Sequence, residues 1–539
     1  MHKRLAAFAL VVATGCGDAD SGSAWSWPES KPSEAGAGEL GEGADDDESD
    51  GEHEPGDGDA DHGGVRLDLG ETSGAGPEQG PIPDSCARAE AGQSSVGCLF
   101  HTVDLDSKSD EVPFAVVVSN VQASTSANVK IERKLGKDWY LVGGPVAVPP
   151  LSLHEFSLAD FHQEGTGKLL GGAYRVHSDL PIVAYQFNPI DGANSLLSDA
   201  SMLYPVASWD YVNQVVGWAA PSGGSKPFVT IAAARDGTKL TFTPSVAIES
   251  GPGITPSGVG QPLVIQLDAG DTVSLNPINP DHSLTGSSII SDPQHPIAVF
   301  SGHTCANIPG DVCCCDHLEE QLSGVRAWGR DFVAAHMPVR DSERPEATLW
   351  QIYASEHGTT ITLDYDPALI GLPGPQLKLD MGEVEQLFVR APVGTEADFR
   401  VRANRPIALV GYMTGSHNLP EALHDSGGDP AMIQLAPVEQ FLPRYVILVP
   451  GTWIHDALVL TRRAGTMITI DGMPVSDVEF EPLVDGEWEV ARVFVADGVH
   501  TLDGDGEPFG VVVVGWDRYD SYAYVGGTGT ATINPTPAG

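Results

Sequence analysis

Hydrophobic and polar positions form short alternating blocks from about residue 96 onward. The apolar runs are rich in Val, Ile, Tyr and Phe, and they are separated by Gly, Pro, Asn and Asp. Short β-branched and aromatic runs between turn residues predict strands, and hardly any segment follows the helical period. The pattern therefore predicts an all-β protein.

A proline-led strand occurs four times in this region, at residues 178–185, 294–300, 404–410 and 507–514. A second element is interleaved with it and consists of a strand, a Gly-Thr turn and another strand. Glycine permits the positive φ that such hairpin turns need. The spacing predicts four copies of about 110 residues, each with about eight strands.

Two architectures accommodate this strand count. Residues 296–300, 445–449 and 510–515 are apolar at successive positions, as expected for strands that are covered on both faces. No Pro/Ser-rich linker separates the copies either. We therefore expect one β-propeller with two four-stranded blades per repeat, while four tandem β-sandwiches remain the alternative.

The N-terminus predicts export and lipidation. Residues 2–4 are His-Lys-Arg, and the apolar segment that follows is too short to span a bilayer. The sequence Ala-Thr-Gly before Cys16 resembles the lipobox of bacterial lipoproteins, so we predict a signal peptide over residues 1–15 and lipidation at Cys16. Gly17, by resemblance to Gram-negative sorting rules, favours an outer-membrane lipoprotein, surface-exposed or periplasmic-facing, that contacts the membrane through its lipid only. An ordinary signal peptide is the alternative.

Composition divides the rest of the chain. Residues 16–85 are rich in Gly, Asp, Glu and Ser and cannot bury enough apolar surface to fold, so we expect an acidic disordered tether. Residues 86–527 form the predicted repeat domain, and residues 528–539 a flexible C-terminal tail. The formal net charge of −45 argues against nucleic acid as a partner, because phosphate binding needs clustered Lys and Arg.

Six cysteines remain after Cys16, and an even number in an exported chain favours disulfides. Cys86 and Cys98 are a plausible local pair. The other four cysteines hold either two further bridges or one bridge and a free pair. They are Cys305, Cys313, Cys314 and Cys315.

Two groups of side chains are candidates for a metal site. His303, Asp316 and His317 lie beside the cysteine cluster, but three adjacent cysteines suit a disulfide-stapled loop better, and we expect no metal and no cofactor. Asp199, Asp316 and Asp429 occupy equivalent places just before a strand. They either line a shared Ca²⁺ or ligand site or bond nearby backbone N–H groups at a turn, and the pattern favours the turn role.

Aromatic and histidine side chains near strand ends are candidate binding anchors, although most such aromatics fill cores. These candidates are Trp139, Tyr211, His417 and Trp453. The segments 305–316 and 416–429 are the likeliest contact loops. No nucleophile motif or defined carboxylate pair stands out, so we assign no catalytic residue.

Three spaced motifs resemble the N-terminal domain of IgG Fc-binding proteins: SGHTC at 301–305, CDHLEEQL at 315–322 and WGRDF at 328–332. The resemblance covers about residues 96–527 and departs where Ser-Gly follows the Gln-Leu pair and in the triple cysteine. It implies an extracellular interaction domain without known enzymatic activity. We expect a surface lipoprotein that acts in binding or adhesion towards an extracellular protein or glycan. The alternative is an envelope glycan hydrolase or lyase on a propeller scaffold.

Overall fold

The computed structural model describes residues 82–108, 113–190, 197–219 and 224–535. All of them belong to one compact unit, Pro77–Gly539. The predicted signal peptide, Cys16 and nearly all of the predicted tether lie outside the described residues. Strands dominate these ranges, and within them one α-helix occurs, α1 at Cys86–Gly92, which confirms the all-β class. None of the described helices is long and apolar enough to cross a membrane.

The strands fall into four consecutive groups, one for each predicted repeat. The first group is β1 Gly97–Val103, β2 Phe114–Asn120, β3 Ala127–Leu135, β4 Asp138–Val148, β5 Leu153–Leu158, β6 Gly167–Leu169, β7 Ala173–Asn188 and β8 Asp199–Met202. The second is β9 Val212–Gln214, β10 Pro227–Ala233, β11 Thr238–Thr243, β12 Leu263–Leu267, β13 Thr272–Leu275, β14 Ser288–Ser291, β15 Ile297–Ala306 and β16 Asp316–Gln321.

The third and fourth groups continue in the same way. The third is β17 Asp331–Ala334, β18 Thr348–Ala354, β19 Thr359–Tyr365, β20 Gln376–Leu379, β21 Val384–Val389, β22 Phe399–Ala403, β23 Ile407–Tyr412 and β24 Met432–Gln434. The fourth is β25 Arg444–Val449, β26 His455–Arg463, β27 Thr469–Ile470, β28 Met473–Pro474, β29 Phe480–Pro482, β30 Trp488–Phe494, β31 Gly498–Asp503, β32 Gly510–Asp517 and β33 Asp520–Val525. Short 3-10 turns cover Val206–Ser208, Val325–Ala327, Ser416–Asn418, Glu421–Leu423, Val438–Gln440 and Asp477–Glu479.

All four repeats share one antiparallel topology. In the third repeat, one sheet has the order β21-β18-β23-β24 and the other β17-β22-β19-β20. The second and fourth repeats follow the same two orders, with one extra strand each. In the first repeat the long strand β7 takes two places: its first half pairs with β1 and β3, and its second half pairs with β2 and β8. The common topology supports the predicted repeats.

The two sheets of the third repeat enclose an apolar core. Phe332, Ile361 and Phe399 from one sheet pack against Trp350 and Leu409 from the other. Packing of two sheets over a shared core is the arrangement of a β-sandwich.

The second face of strand β18 is also covered, because its Leu349 and Tyr353 pack into the core of the second repeat. Strand β15 is covered in the same way, since its Ala298 and Phe300 belong to one apolar core and its Ile297 and Val299 to another. Such double cover explains the unbroken apolar run at residues 296–300, one of those that favoured a propeller in the sequence. The described residues show no closed propeller, and their paired sheets are compatible with the sandwich alternative.

The last strand of each repeat lies at the centre of the unit. Each of β8, β16, β24 and β33 lies beside two of the others. The first and fourth repeats also share one continuous apolar core, in which the ring of Phe187 lies 6.5 Å from that of Tyr522 and 6.3 Å from that of Tyr524.

The segment after the fourth repeat returns to the start of the first. Ser95 N donates to Thr528 O at 2.9 Å, and Thr530 N donates to Gln93 O at 2.7 Å. Asn534 is buried as well. The described part of the segment predicted as a flexible tail, residues 528–535, is therefore hydrogen-bonded to the domain.

Candidate functional site

The loops that lead into the central strands meet on one surface. We define the loop face as residues 307–315, which precede β16, residues 413–431, which precede β24, and residues 518–519, which precede β33. The corresponding loop of the first repeat runs from 189 to 198, and its residues 191–196 lie outside the described ranges.

Direct contacts join the two loops that the sequence analysis selected as contact elements. Gly415 N donates to Ile308 O at 2.9 Å, and Asn418 Nδ2 donates to the same oxygen at 3.1 Å. His417 Nε2 lies 3.8 Å from Cys314 Sγ. Although about 110 residues separate them in sequence, the two loops form one surface.

Disulfides fix the first of these loops. Cys305 is bonded to Cys315, and Cys313 is bonded to Cys314. The cluster thus takes the two-bridge arrangement that the sequence left open. Cys86 is bonded to Cys98, the local pair that the spacing suggested, and no cysteine of the described ranges is free.

Residues 413–431 are held at their base by a buried arginine. The Arg340 guanidinium donates to Thr414 O at 2.7 Å and to Gly427 O at 2.6 Å, the two ends of this loop. Glu346 accepts from Arg340 at 2.8 Å, with both side chains nearly inaccessible to solvent. Because the Arg340 guanidinium bonds both loop ends and Glu346 at once, it fixes the loop base.

The outer part of the loop face is polar and aromatic. The rings of His417 and His424 are stacked with centroids 4.1 Å apart. The Tyr519 hydroxyl donates to Asp425, and the Arg518 guanidinium lies 5.5 Å from the Tyr519 ring. His417 and the turn at Arg518 are exposed. The surface thus offers the imidazole of His417 and the guanidinium of Arg518 for recognition.

Four aspartates lie at the inner ends of these loops. Asp199, Asp316 and Asp520 begin the central strands β8, β16 and β33, and Asp429 lies three residues before β24. None of the four is more than 1% exposed. Asp520 is the equivalent of the three acids noticed in the sequence. The position after the fourth proline-led strand could have identified it.

The carboxylates connect different repeats. Asp199 Oδ2 accepts from Glu319 N at 3.2 Å and from Met432 N at 3.0 Å, so it links three repeats. Asp520 Oδ1 accepts from Ser198 Oγ at 2.9 Å and thereby joins the fourth repeat to the first. These bonds set the relative positions of the central strands.

Burial raises the pKa of all four aspartates. Burial raises the pKa of Asp316 well above its usual range, and the negative charges of Asp520, Asp429 and Asp199 add to the effect. The Oδ2 atom of Asp316 has no hydrogen-bond partner. Burial also raises the pKa of Asp429 to about 6. The four aspartates thus lie close together, as a shared Ca²⁺ or ligand site requires, but solvent does not reach them.

Local bonds support the turn role as well. Asp199 Oδ1 accepts from Ala200 N at 2.9 Å, and Asp316 Oδ1 accepts from His317 N at 2.8 Å. Among the described residues, the aspartates belong to neither of the two groups whose potential ligand atoms lie within 4.8 Å of one another. Their arrangement is that of hydrogen-bonding links between strands.

The two histidines considered as weak metal candidates with Asp316 are fully buried. His303 Nδ1 accepts from Cys305 N at 3.1 Å, and His317 Nε2 lies 3.7 Å from Glu319 Oε2. Burial lowers the pKa of His317 to about 3 and raises the pKa of Glu319 well above its usual range. His317 is therefore neutral at neutral pH, and its contact with Glu319 is not an ion pair. Nothing in the hydrophobic pattern indicated that Glu319 and Glu320 would be buried.

The remaining binding candidates lie in different surroundings. Trp139 is half-buried under the Arg175 guanidinium, 4.0 Å from its ring, and Tyr211 lies 4.9 Å from the Arg326 guanidinium. Trp453 is 4% exposed and donates to Asp520 Oδ2 at 3.1 Å, so it has the core role that the sequence left open for aromatic residues. Of the four candidates, only His417 lies on the loop face.

Comparison with known proteins gives one match. A family model described as IgGFc binding protein matches residues 199–515, more than half of the 539 residues. No curated protein and no solved structure matches the chain. The matched region contains residues 307–315 and 413–431 of the loop face together with Asp199, Asp316 and Asp429.

Proposed function

The chain belongs to the IgGFc-binding protein family. From this membership, and from the lipobox-like sequence before Cys16, we propose that it is a lipid-anchored surface protein that binds a partner through the loop face. The family indicates a protein-binding module. A role in adhesion and a surface location are the finer parts of the proposal. A protein is the favoured partner, and a glycan is the alternative that the test below distinguishes.

One observation carries the proposal: the two segments chosen from the sequence as contact loops lie together in a fixed geometry. Disulfides hold residues 307–315, and Arg340 holds both ends of residues 413–431. Binding through loops that are already ordered costs less conformational entropy than binding through loose ones. Loops on a rigid β scaffold are a common location for recognition.

Side chains on this surface suit recognition of a polar or charged patch. His417 is exposed next to Cys314, and Arg518 projects beside Tyr519. Arg and Tyr are among the residues that contribute most at protein interfaces.

Surface plasmon resonance with the full-length protein tests the proposal. The probes are immobilised IgG Fc fragment and a glycan array. The double variant His417→Ala/Arg518→Ala is compared with Val478→Ser, which changes a side chain that is 83% exposed and lies outside the loop face. We expect at least ~10-fold weaker binding for the double variant and no change for the control, because truncating an interface anchor costs about 1–2 kcal/mol or more.

The probes separate the possible partners. Loop-dependent binding to Fc supports a protein partner, and loop-dependent binding to glycans supports the alternative. If the double variant binds as the wild type does, the loop face is not the recognition surface. If neither probe is bound, the partner is neither IgG Fc nor one of the arrayed glycans.

The lipid anchor needs its own experiment. Labelling cells with an alkyne fatty acid should mark the wild type but not Cys16→Ser, because the acyl chains attach to that sulfur. Protease treatment of intact cells then reports whether the domain faces outward. Equal labelling of both proteins would rule out lipidation at Cys16.

A further inference from the structure

A second group of chemically active side chains lies outside the loop face. Asp104 follows strand β1, and Asp160 and His162 follow strand β5. Each of the three offers one potential ligand atom, and these atoms all lie within 4.8 Å of one another. We propose that Asp104, Asp160 and His162 bind a divalent transition metal, with Zn²⁺ as the favoured ion.

The backbone holds these ligands together without an ion. Asp104 is 6% exposed, and its Oδ2 accepts from Phe161 N at 2.6 Å, so the buried acid fixes the segment that carries the other two ligands. The Arg133 guanidinium lies 3.1 Å from the Phe161 ring centroid and covers the same segment. His162 Nδ1 lies 2.7 Å from Asp160 Oδ1.

Only a small closure separates this geometry from a coordination sphere. Zn²⁺ binds carboxylate oxygen and imidazole nitrogen at about 2.0–2.2 Å, which places tetrahedral ligand atoms roughly 3.3 Å apart. The Asp160 side chain is 56% exposed, whereas the His162 side chain is 13% exposed. To bind an ion, Asp160 exchanges its contact with His162 Nδ1 for a bond to the metal. The most accessible ligand is therefore the one that must move.

The ligand set decides the kind of metal. Ca²⁺ and Mg²⁺ prefer oxygen ligands only, whereas imidazole together with carboxylate suits Zn²⁺ and similar ions. Three protein ligands leave a fourth position for water or for a donor from another molecule. The formal net charge of −45 also attracts cations towards the protein.

The other group with close donor atoms is Cys313, Cys314 and His417. Its two sulfurs are joined in a disulfide, whereas metal binding needs thiolates. Titration without reductant therefore keeps this group from competing for the metal.

Metal titration of the full-length protein tests the inference. After treatment with a chelator, the protein is titrated with Zn²⁺ by calorimetry and with Co²⁺ by visible absorption, which reports coordination directly. The variant His162→Ala is compared with His500→Ala. His500 Nδ1 lies 2.7 Å from Asp471 Oδ2, the same pair geometry, but the described residues give this pair no third ligand.

We expect one saturable Zn²⁺ site. Its affinity for Zn²⁺ should fall at least ~10-fold in His162→Ala, because loss of an outer-shell partner already costs about 10-fold or more and His162 is a direct ligand. His500 lies outside the site, so His500→Ala should leave the affinity unchanged. Asp160→Asn changes an exposed side chain, so it decides the outcome if His162→Ala fails to fold. Equal affinity in all variants, equal loss in His500→Ala, or preference for Ca²⁺ over Zn²⁺ would overturn the proposal.

Discussion

The core of the third repeat and the junction of the central strands are both buried, but they are built from opposite chemistry. The core consists of apolar side chains such as Phe332, Trp350 and Phe399. The junction contains the carboxylates of Asp199 and Asp520, with hydrogen bonds between repeats. Burial alone therefore does not define one kind of interior in this protein.

The two kinds of interior have different roles: one stabilises the fold, and the other fixes how the strands align. Apolar contacts are non-directional and scale with the area removed from water, so they hold two sheets together in many arrangements. A buried carboxylate is costly unless specific donors reach it, so it favours one alignment of its neighbours. We infer that the cores supply most of the folding free energy and that the aspartates fix which strands of different repeats face one another.

The largest effect is expected in the apolar core. Phe399→Ala removes a fully buried ring that meets Trp350 edge-on with centroids 5.9 Å apart. Truncation of a buried Phe to Ala typically costs about 3–5 kcal/mol of unfolding free energy. Denaturant unfolding measures this loss, with Phe399→Leu as the milder control. A loss of unfolding free energy below ~1 kcal/mol in Phe399→Ala would contradict the inference that the apolar cores supply most of the folding free energy.

A smaller loss is expected at the junction. Asp199→Ala leaves the backbone N–H groups of Glu319 and Met432 without their acceptor, and each unsatisfied buried donor costs about 1–3 kcal/mol. We predict a loss of about 2–4 kcal/mol, with Asp199→Asn losing less because an amide oxygen still accepts. If both variants lose the same unfolding free energy, the charge or shape of Asp199 stabilises the junction, and its hydrogen-bond acceptor does not.

The junction should also depend on pH, whereas the apolar core should not. The pKa of Asp429 is raised by burial from 3.8 to about 6. Between these values the folded protein keeps a proton that the unfolded chain has lost, so a rise in pH favours unfolding. The contribution falls by roughly 1 kcal/mol per pH unit in this window and is constant above it.

Unfolding measured from pH 4 to 7 isolates this contribution when the wild type is compared with Asp429→Asn. In Asp429→Asn, the unfolding free energy should fall less steeply as the pH rises. In Asp505→Asn, a change at an exposed acid, it should fall as it does in the wild type. Identical pH profiles for the wild type and Asp429→Asn would mean that Asp429 does not hold a proton in the fold.

The smallest effect on stability is expected on the loop face. His417 is exposed and contacts His424 only by stacking, so His417→Ala should change the unfolding free energy by less than ~0.5 kcal/mol. Thermal unfolding measures it. A much larger loss would mean that the histidine pair belongs to the structural junction and not to a recognition surface.

The repeats could be read from the sequence because they depend on local chemistry. Gly237, Gly358 and Gly465 at the predicted Gly-Thr turns all have positive φ, from 67° to 77°. Hairpins defined by such turns follow from a few neighbouring residues. The hairpins of the second, third and fourth repeats were predictable for this reason.

Long-range relations were less accessible. An apolar run such as residues 296–300 in β15 indicates that both faces of the strand are covered. It does not indicate whether a partner sheet or a neighbouring blade covers them. Asp316 and Asp520 lie about 200 residues apart in sequence, and only the packing of the central strands brings their charges together. The cysteine cluster likewise admitted two bonding patterns until the loop geometry was known.

The hydrogen bonds between Ser95 and Thr528 place the entry and exit of the described domain side by side. A domain whose two ends are adjacent can be spliced into a surface loop of a host protein without distorting either partner. The same adjacency allows a circular permutant, in which these ends are fused and new ends are opened in an exposed turn such as Gly472. We therefore expect the four repeats to fold in the same way when the polypeptide begins at a different repeat.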